Sequence, residues 1–211
     1  MNVFGFLASH RGEAATLMGQ HLLLVGASTL MAVAIGVPLG LLLTRRRRLA
    51  APVLGIANVL QTIPSLALFG FLIPLPFIGG VGARTAIVAL VLYGLLPVIR
   101  NVYTGVSGVD PAVREAALGM GMTGGELLRM VELPLAAPVI MAGIRVATVV
   151  GVGTATIAAA IGAGGLGVYI FRGVATVNDT VILAGALPAA LLALALDGGL
   201  GWVERRLMAH G

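Results

Sequence analysis

Residues 110–134 read DPAVREAALGMGMTGGELLRMVELP, the longest polar interval of a chain that is otherwise apolar. Local rules make this stretch two short helices joined at a glycine. Asp110 is placed to cap the first helix, and Pro111 at its first position costs no hydrogen bond. Thr123 and Glu126 stand at the S/T-x-x-E spacing of a capping box, which opens the second helix. Leu133-Pro134 is expected to stop that helix, because the residue before a proline is pushed out of the helical region. A polar helical hairpin of this kind between membrane spans suits docking on something soluble.

The surroundings are those of a membrane protein. Hydrophobic residues make up 59% of the 211 and charged residues only 10%, with a mean hydropathy of +1.07, well beyond soluble domains. Apolar runs at 22–43, 53–74, 85–102, 138–161 and 181–200 are each long enough to cross a bilayer. Backbone groups in lipid must be satisfied internally, so the runs are expected to be helices. No short alternating strands suggest a β-barrel. The expected fold class is an all-α membrane protein with about five transmembrane helices. Residues 1–16 read as an interfacial segment, with Phe4, Phe6 and Leu7 flanking Arg11 and Glu13. Residues 17–207 form the membrane domain and 208–211 a short tail.

Charge gives an orientation. Arg45-Arg46-Arg47-Arg48 directly follows the first run, and short-loop arginines stay in the cytoplasm. The amino terminus is then outside and the carboxyl terminus cytoplasmic, with the 110–134 hairpin facing the cell interior between spans 3 and 4. Arg100, Arg114, Arg129, Arg205 and Arg206 fall on the same side as the arginine run. Arg11, Arg84 and Arg172 fall opposite, and Arg145 lies within a span. The net charge of +5 therefore marks loop anchors and contacts with anionic lipid headgroups rather than nucleic acid.

The residue inventory offers no enzyme chemistry and no cofactor. Cysteine is absent, and His10, His21 and His210 are scattered, so neither a metal site nor a catalytic constellation is expected. All 13 basic residues are arginine; without a P-loop lysine the chain has no Walker motif for ATP. Residues 162–167, GAGGLG, match G-x-G-x-x-G but follow an apolar run instead of a strand. They read as a tight turn.

Two patterns lie inside the spans. Gly143, Ala147, Gly151, Ala155 and Ala159 recur every four residues, a small-residue ridge for close helix approach within one subunit or across a dimer. Asn58, Gln61, Thr62 and Ser65 share one face of the second run, with Pro64 placed to open its hydrogen-bond ladder. Such a face looks into the bundle or lines a translocation path. Arg145 and Asp197 need partners or water; pairing with each other is one reading, and snorkelling to the interface is the favoured one for Asp197.

Glu115-Ala116-Ala117, then Gly121, then Val131-Glu132-Leu133-Pro134 resemble the signature loop of binding-protein-dependent ABC importer permeases, with Val131 where isoleucine is commoner. Residues 58–65, NVLQTIPS, and 92–101, LYGLLPVIRN, resemble the osmoprotectant branch that carries glycine betaine, carnitine and choline. The resemblance implies a type I importer fold in the inner (cytoplasmic) membrane. It also implies that Glu115, Ala116, Ala117, Gly121, Leu133 and Pro134 engage a cytoplasmic ABC ATPase dimer. Its further implied partners are an extracytoplasmic substrate-binding protein and a second permease subunit, identical or homologous. Another small polar solute, such as an amino acid, is the near alternative. A gradient-driven secondary transporter is the alternative from another class; it lacks the central carboxylates and equal halves such carriers often show.

Overall fold

The computed structural model describes residues 2–208, among which there is no strand. A short helix, α1 (Val3–Ser9), is capped by the Asn2 side chain and followed by the long α2 (Arg11–Arg45). A 3-10 turn leads to α3 (Ala50–Thr62) and α4 (Ser65–Leu72), and then comes α5 (Ala83–Ser107). The hairpin holds α6 (Pro111–Gly119) and the single turn α7 (Gly124–Glu126). It runs through a π-helical turn at Leu127–Glu132 into α8 (Leu133–Ala158). A glycine-rich turn, α9 (Gly167–Ala175) and α10 (Asp179–Met208) complete the chain. Residues 209–211, which carry His210 and most of the expected tail, lie outside the described residues.

Among the described residues, four helical stretches are long and apolar enough to cross a membrane, and there are five if the bent pair α3–α4 is counted as one. Central α5 has 67% of its apolar window buried, against 22–33% for the others. It packs on α2 and α8, while α10 lies along α8. Phe69 and Leu72 of α4, Leu90 and Tyr93 of α5, Val152 and Ala155 of α8, and Leu24 of α2 form one core cluster.

The small-residue ridge does its packing within the chain. A Cβ added at Gly143 would lie 2.5 Å from Asn101 Cβ and 2.7 Å from the Pro97 carbonyl, so α8 approaches the α5 backbone there directly. Ala147 and Ala155 are buried in the same seam. In lipid, where no hydrophobic drive joins helices, such contact supplies the dispersion energy that holds them together.

Three expectations change. The 53–74 run is not one helix: Ile63 is extended, Pro64 restarts the chain, and the axis turns by 103°. Proline bars its predecessor from helical dihedrals, and here nothing overrides that. Leu133-Pro134, by contrast, does not stop its helix; Leu133 keeps φ −66°, ψ −45° and α8 continues. The preceding turn is π-helical, with the Leu133 amide bonded to the Leu128 carbonyl. That wider turn shifts the carbonyl with which a proline ring otherwise collides. The residues 1–16, finally, do not end where the helix does: α2 begins at Arg11, so the segment is shared between α1 and the first turns of α2.

Candidate functional site

The hairpin's caps form as its residues dictate. The Asp110 carboxylate accepts from the Ala112 amide at 2.8 Å, with Pro111 at the first helical position. Thr123 and Glu126 complete a reciprocal capping box, the Thr123 amide donating to Glu126 Oε2 at 2.7 Å. Gly121 joins the two with φ +88°, a left-handed conformation that an L side chain resists. Glu115, Ala116 and Gly121 are exposed, whereas Ala117 is buried and faces back toward the chain. Between the polar residues the hairpin leaves Leu118, Met120 and Met130 exposed. An apolar patch with a polar rim is the composition of a protein-docking surface.

Beneath the hairpin lies a residue that the motif spacing did not single out. Glu132 is 1% exposed, and its two oxygens reach Arg45 Nη2 at 2.7 Å and Arg114 Nε at 3.2 Å. Arg114 also donates to the Val106 carbonyl at the end of α5. One buried carboxylate thus ties the tip of α2 and the first helix of the hairpin to the turn that enters α8, and Arg114 extends the tie to α5. A buried charge is tolerated only with such partners, and removing one leaves the rest stranded. Residue order carries no clear signal for it, because Glu132 stands in the polar interval near Glu126 and Arg129 while Arg45 is 87 residues away.

The polar face of the second run is partly reassembled. Asn58, Gln61 and Thr62 remain on α3, but Ser65 sits beyond the 103° elbow. A cavity of about 340 Å³ at the elbow is lined by Gln61, Thr62, Ser65, Tyr93, Val150 and Thr154, with Ile63 and Pro64. Asn58 is exposed and does not line it.

Two bonds hold the elbow to α5. Pro97 has no N–H to offer the Tyr93 carbonyl one turn earlier, and Gln61 Nε2 donates to that freed carbonyl at 2.7 Å. In return the Tyr93 hydroxyl donates to the carbonyl of Ile63 at the break. Each helix defect satisfies the other. Tyr93 is therefore a site residue that the polar-face argument missed, because its role depends on a carbonyl that only the fold exposes.

Arg145 pairs with Asp197, Nε to Oδ1 at 2.5 Å and Nη2 to Oδ2 at 2.8 Å, and its Nη1 reaches Glu204 at 3.3 Å. Asp197 is thus a partner of Arg145 rather than a lone side chain reaching for the interface. At the other end of the bundle, Gly162, Gly164 and Gly165 all take φ between +75° and +80°, forming the expected tight turn ahead of α9. Gln20 anchors it, accepting from the Gly165 amide at 3.0 Å.

Comparison with known proteins agrees with this architecture. Residues 36–209 match the family of binding-protein-dependent transport system inner membrane components. The chain is 46% identical over 209 residues to the osmoprotectant import permease protein OsmW of Salmonella typhimurium, covering 98% of this chain and 95% of that one. It is 45% identical to the choline transport system permease protein OpuBB of Bacillus subtilis, over 100% and 95% of the two chains. The glycine betaine/carnitine/choline permease protein OpuCD of the same organism is 48% identical over 189 residues, 89% of this chain and 81% of that one. Among solved structures, the methionine transporter MetNI in an inward-facing form superposes with a TM-score of 0.84 over 94% of this chain and 98% of that one, at 23% identity, a likeness of fold alone. The chain belongs to the binding-protein-dependent transport family: it is a multi-pass inner-membrane protein and the permease subunit of an ABC importer.

Proposed function

We propose that this permease takes up a small quaternary-ammonium osmoprotectant of the glycine betaine, carnitine and choline class. A separate extracytoplasmic binding protein delivers it, and a cytoplasmic ABC ATPase dimer drives the cycle. A second permease subunit completes the path. The observation that carries the coupling is the hairpin: exposed Glu115, Leu118, Met120 and Met130 stand on a base tied together by buried Glu132. In this reading Glu115, Ala116, Ala117 and Gly121 meet the ATPase, Leu133-Pro134 carries the movement into α8, and the arginine end of the bundle is cytoplasmic. The amino terminus is outside. Moving an access equilibrium from 1:99 to 99:1 takes about 5.5 kcal/mol of differential binding. A hairpin locked to α2 and α8 can transmit a push of that order.

The elbow cavity, with Gln61, Thr62 and Ser65, lines the solute path in this reading, and Asn58 borders it one turn away. The solute class rests on the relatives, whose names specify osmoprotectant, choline, glycine betaine and carnitine. Vesicles containing the permease, its ATPase and its binding protein are expected to accumulate glycine betaine on ATP alone, with no ion gradient. Gly121→Asp is expected to abolish uptake and loosen ATPase assembly, since a side chain there strains the left-handed turn and adds charge beside the apolar patch. Wild-type uptake and assembly in that variant would refute the coupling assignment.

A further inference from the structure

The ion cluster on α8 and α10 has a construction that a simple helix tie does not need. Asp197, Gly201 and Glu204 recur at i, i+4 and i+7, so they share one face of α10. The Arg145 guanidinium lies across that face: a Cβ added at Gly201 would sit 3.2 Å from its Nη1 and 3.3 Å from its Cζ. Gly201 is thus a bare floor on which the guanidinium rests between two carboxylates. The cluster is also open. The Arg145 side chain is 35% exposed and that of Asp197 39%, although both belong to membrane-crossing helices.

Charged groups at that depth do not face hydrocarbon without large cost, so this face borders water or another protein surface. Arg145 and Asp197 line a cavity of about 260 Å³ together with Val146, Val149 and Val150. Val150 also lines the elbow cavity with Gln61, Thr62, Ser65 and Tyr93. The two cavities adjoin at Val150, and the cluster lies from there toward the arginine end of the bundle.

We propose that Arg145, Asp197 and Glu204 form a second station for a zwitterionic, betaine-type solute of the osmoprotectant class, holding its ammonium group beside the two carboxylates and its carboxylate on the guanidinium. This rests on the proposed osmoprotectant function. Arg205 Nη1 lies 3.5 Å from the same Gly201 Cβ position, so two guanidiniums stand against the two carboxylates and the cluster is balanced, as a net-neutral zwitterion is. A zwitterion then exchanges partners with the resident pair without changing the net charge. Its carboxylate suits the planar fork of Arg145, which the Asp197 carboxylate already occupies in bidentate fashion. The empty neighbouring cavity gives the displaced groups room to separate.

The chain has no cysteine, so Val146→Cys and Val149→Cys each introduce the only thiol in the permease without touching the charged residues. In vesicles of the assembled transporter, a water-soluble thiosulfonate that cannot cross the bilayer is expected to label both positions. Saturating glycine betaine should slow labelling at least about threefold, as two-thirds occupancy gives, and equal sucrose should not. In the Asp197→Asn background that protection should vanish. Uptake should fall about tenfold. Absence of labelling at both positions, or labelling that glycine betaine leaves unchanged, would overturn the station even if Asp197→Asn failed to assemble. Wild-type vesicles that take up no glycine betaine would instead refute the solute class, a separate outcome read before any variant is made.

Discussion

Each end of the bundle is laced by a glutamate and an arginine, yet the two lacings differ in kind. At the arginine end Glu132 is 1% exposed and shared by Arg45 and Arg114. At the opposite end Glu13 is 36% exposed and meets Arg172 at 2.6 Å, with the Tyr169 hydroxyl donating to it at 3.2 Å. Burial and the carboxylate of Glu13 push the Tyr169 phenol up to about 12, so it remains a neutral donor across the physiological range. The exposed pair is screened by water and salt and contributes little. The buried triad cannot be broken without stranding a charge. In the proposed coupling, a motor pulling on the hairpin needs a linkage of the second kind, and a surface proposed to receive and release a binding protein is better served by the first.

Breaking the buried carboxylate should have the largest effect. Glu132→Ala strands Arg114 and is expected to cost about 3 kcal/mol of stability. The measurement is thermal unfolding of the purified permease, together with ATP hydrolysis that no longer responds to the binding protein. Response at wild-type strength would mean the triad only staples the fold. Gly143→Ala, between the two ends, forces a methyl into the α5 backbone and should cost about 2 kcal/mol. Its unfolding temperature should fall while whatever hydrolysis remains still answers to the binding protein, which separates damaged packing from damaged coupling.

Thr123→Ala removes the capping box and should cost about 1 kcal/mol, localised in the hairpin. Hydrogen exchange at the 124–128 amides reports it, and unchanged protection would show that the π-turn alone holds the hairpin. The smallest effect belongs to Glu13→Gln, with a loss under about 1 kcal/mol that shrinks further in high salt. A loss as large as that of Glu132→Ala would erase the contrast between the ends.

Much of this architecture was legible in residue order because it depends on neighbours a few positions apart. The Asp110 and Thr123 caps, the left-handed Gly121 and the glycine turn at 162–167 are all local decisions. The apolar runs identified the crossings because lipid allows little else. Misreadings arose where two segments solve a problem together. Pro64 and Pro97 each create a defect, and only their juxtaposition through Gln61 and Tyr93 makes an elbow of the second run. Pro134 reads as a stop until the π-turn before it is seen to make room. Glu132 draws notice only when Arg45, 87 residues away, is brought beside it.

The π-turn carries one consequence for how this permease can evolve. A turn at Leu127–Glu132 wound as an ordinary α-helix would rotate everything before it by about 100° and advance it by about 1.5 Å around the α8 axis. Arg114 would then be carried away from Glu132, and the apolar patch of the hairpin would face a different quarter. The bearing of the docking surface is stored in one surplus residue. Substitutions at Leu128 and Met130 leave the bearing intact, whereas a change of length by one, in either direction, turns the exposed face of the hairpin to a new side.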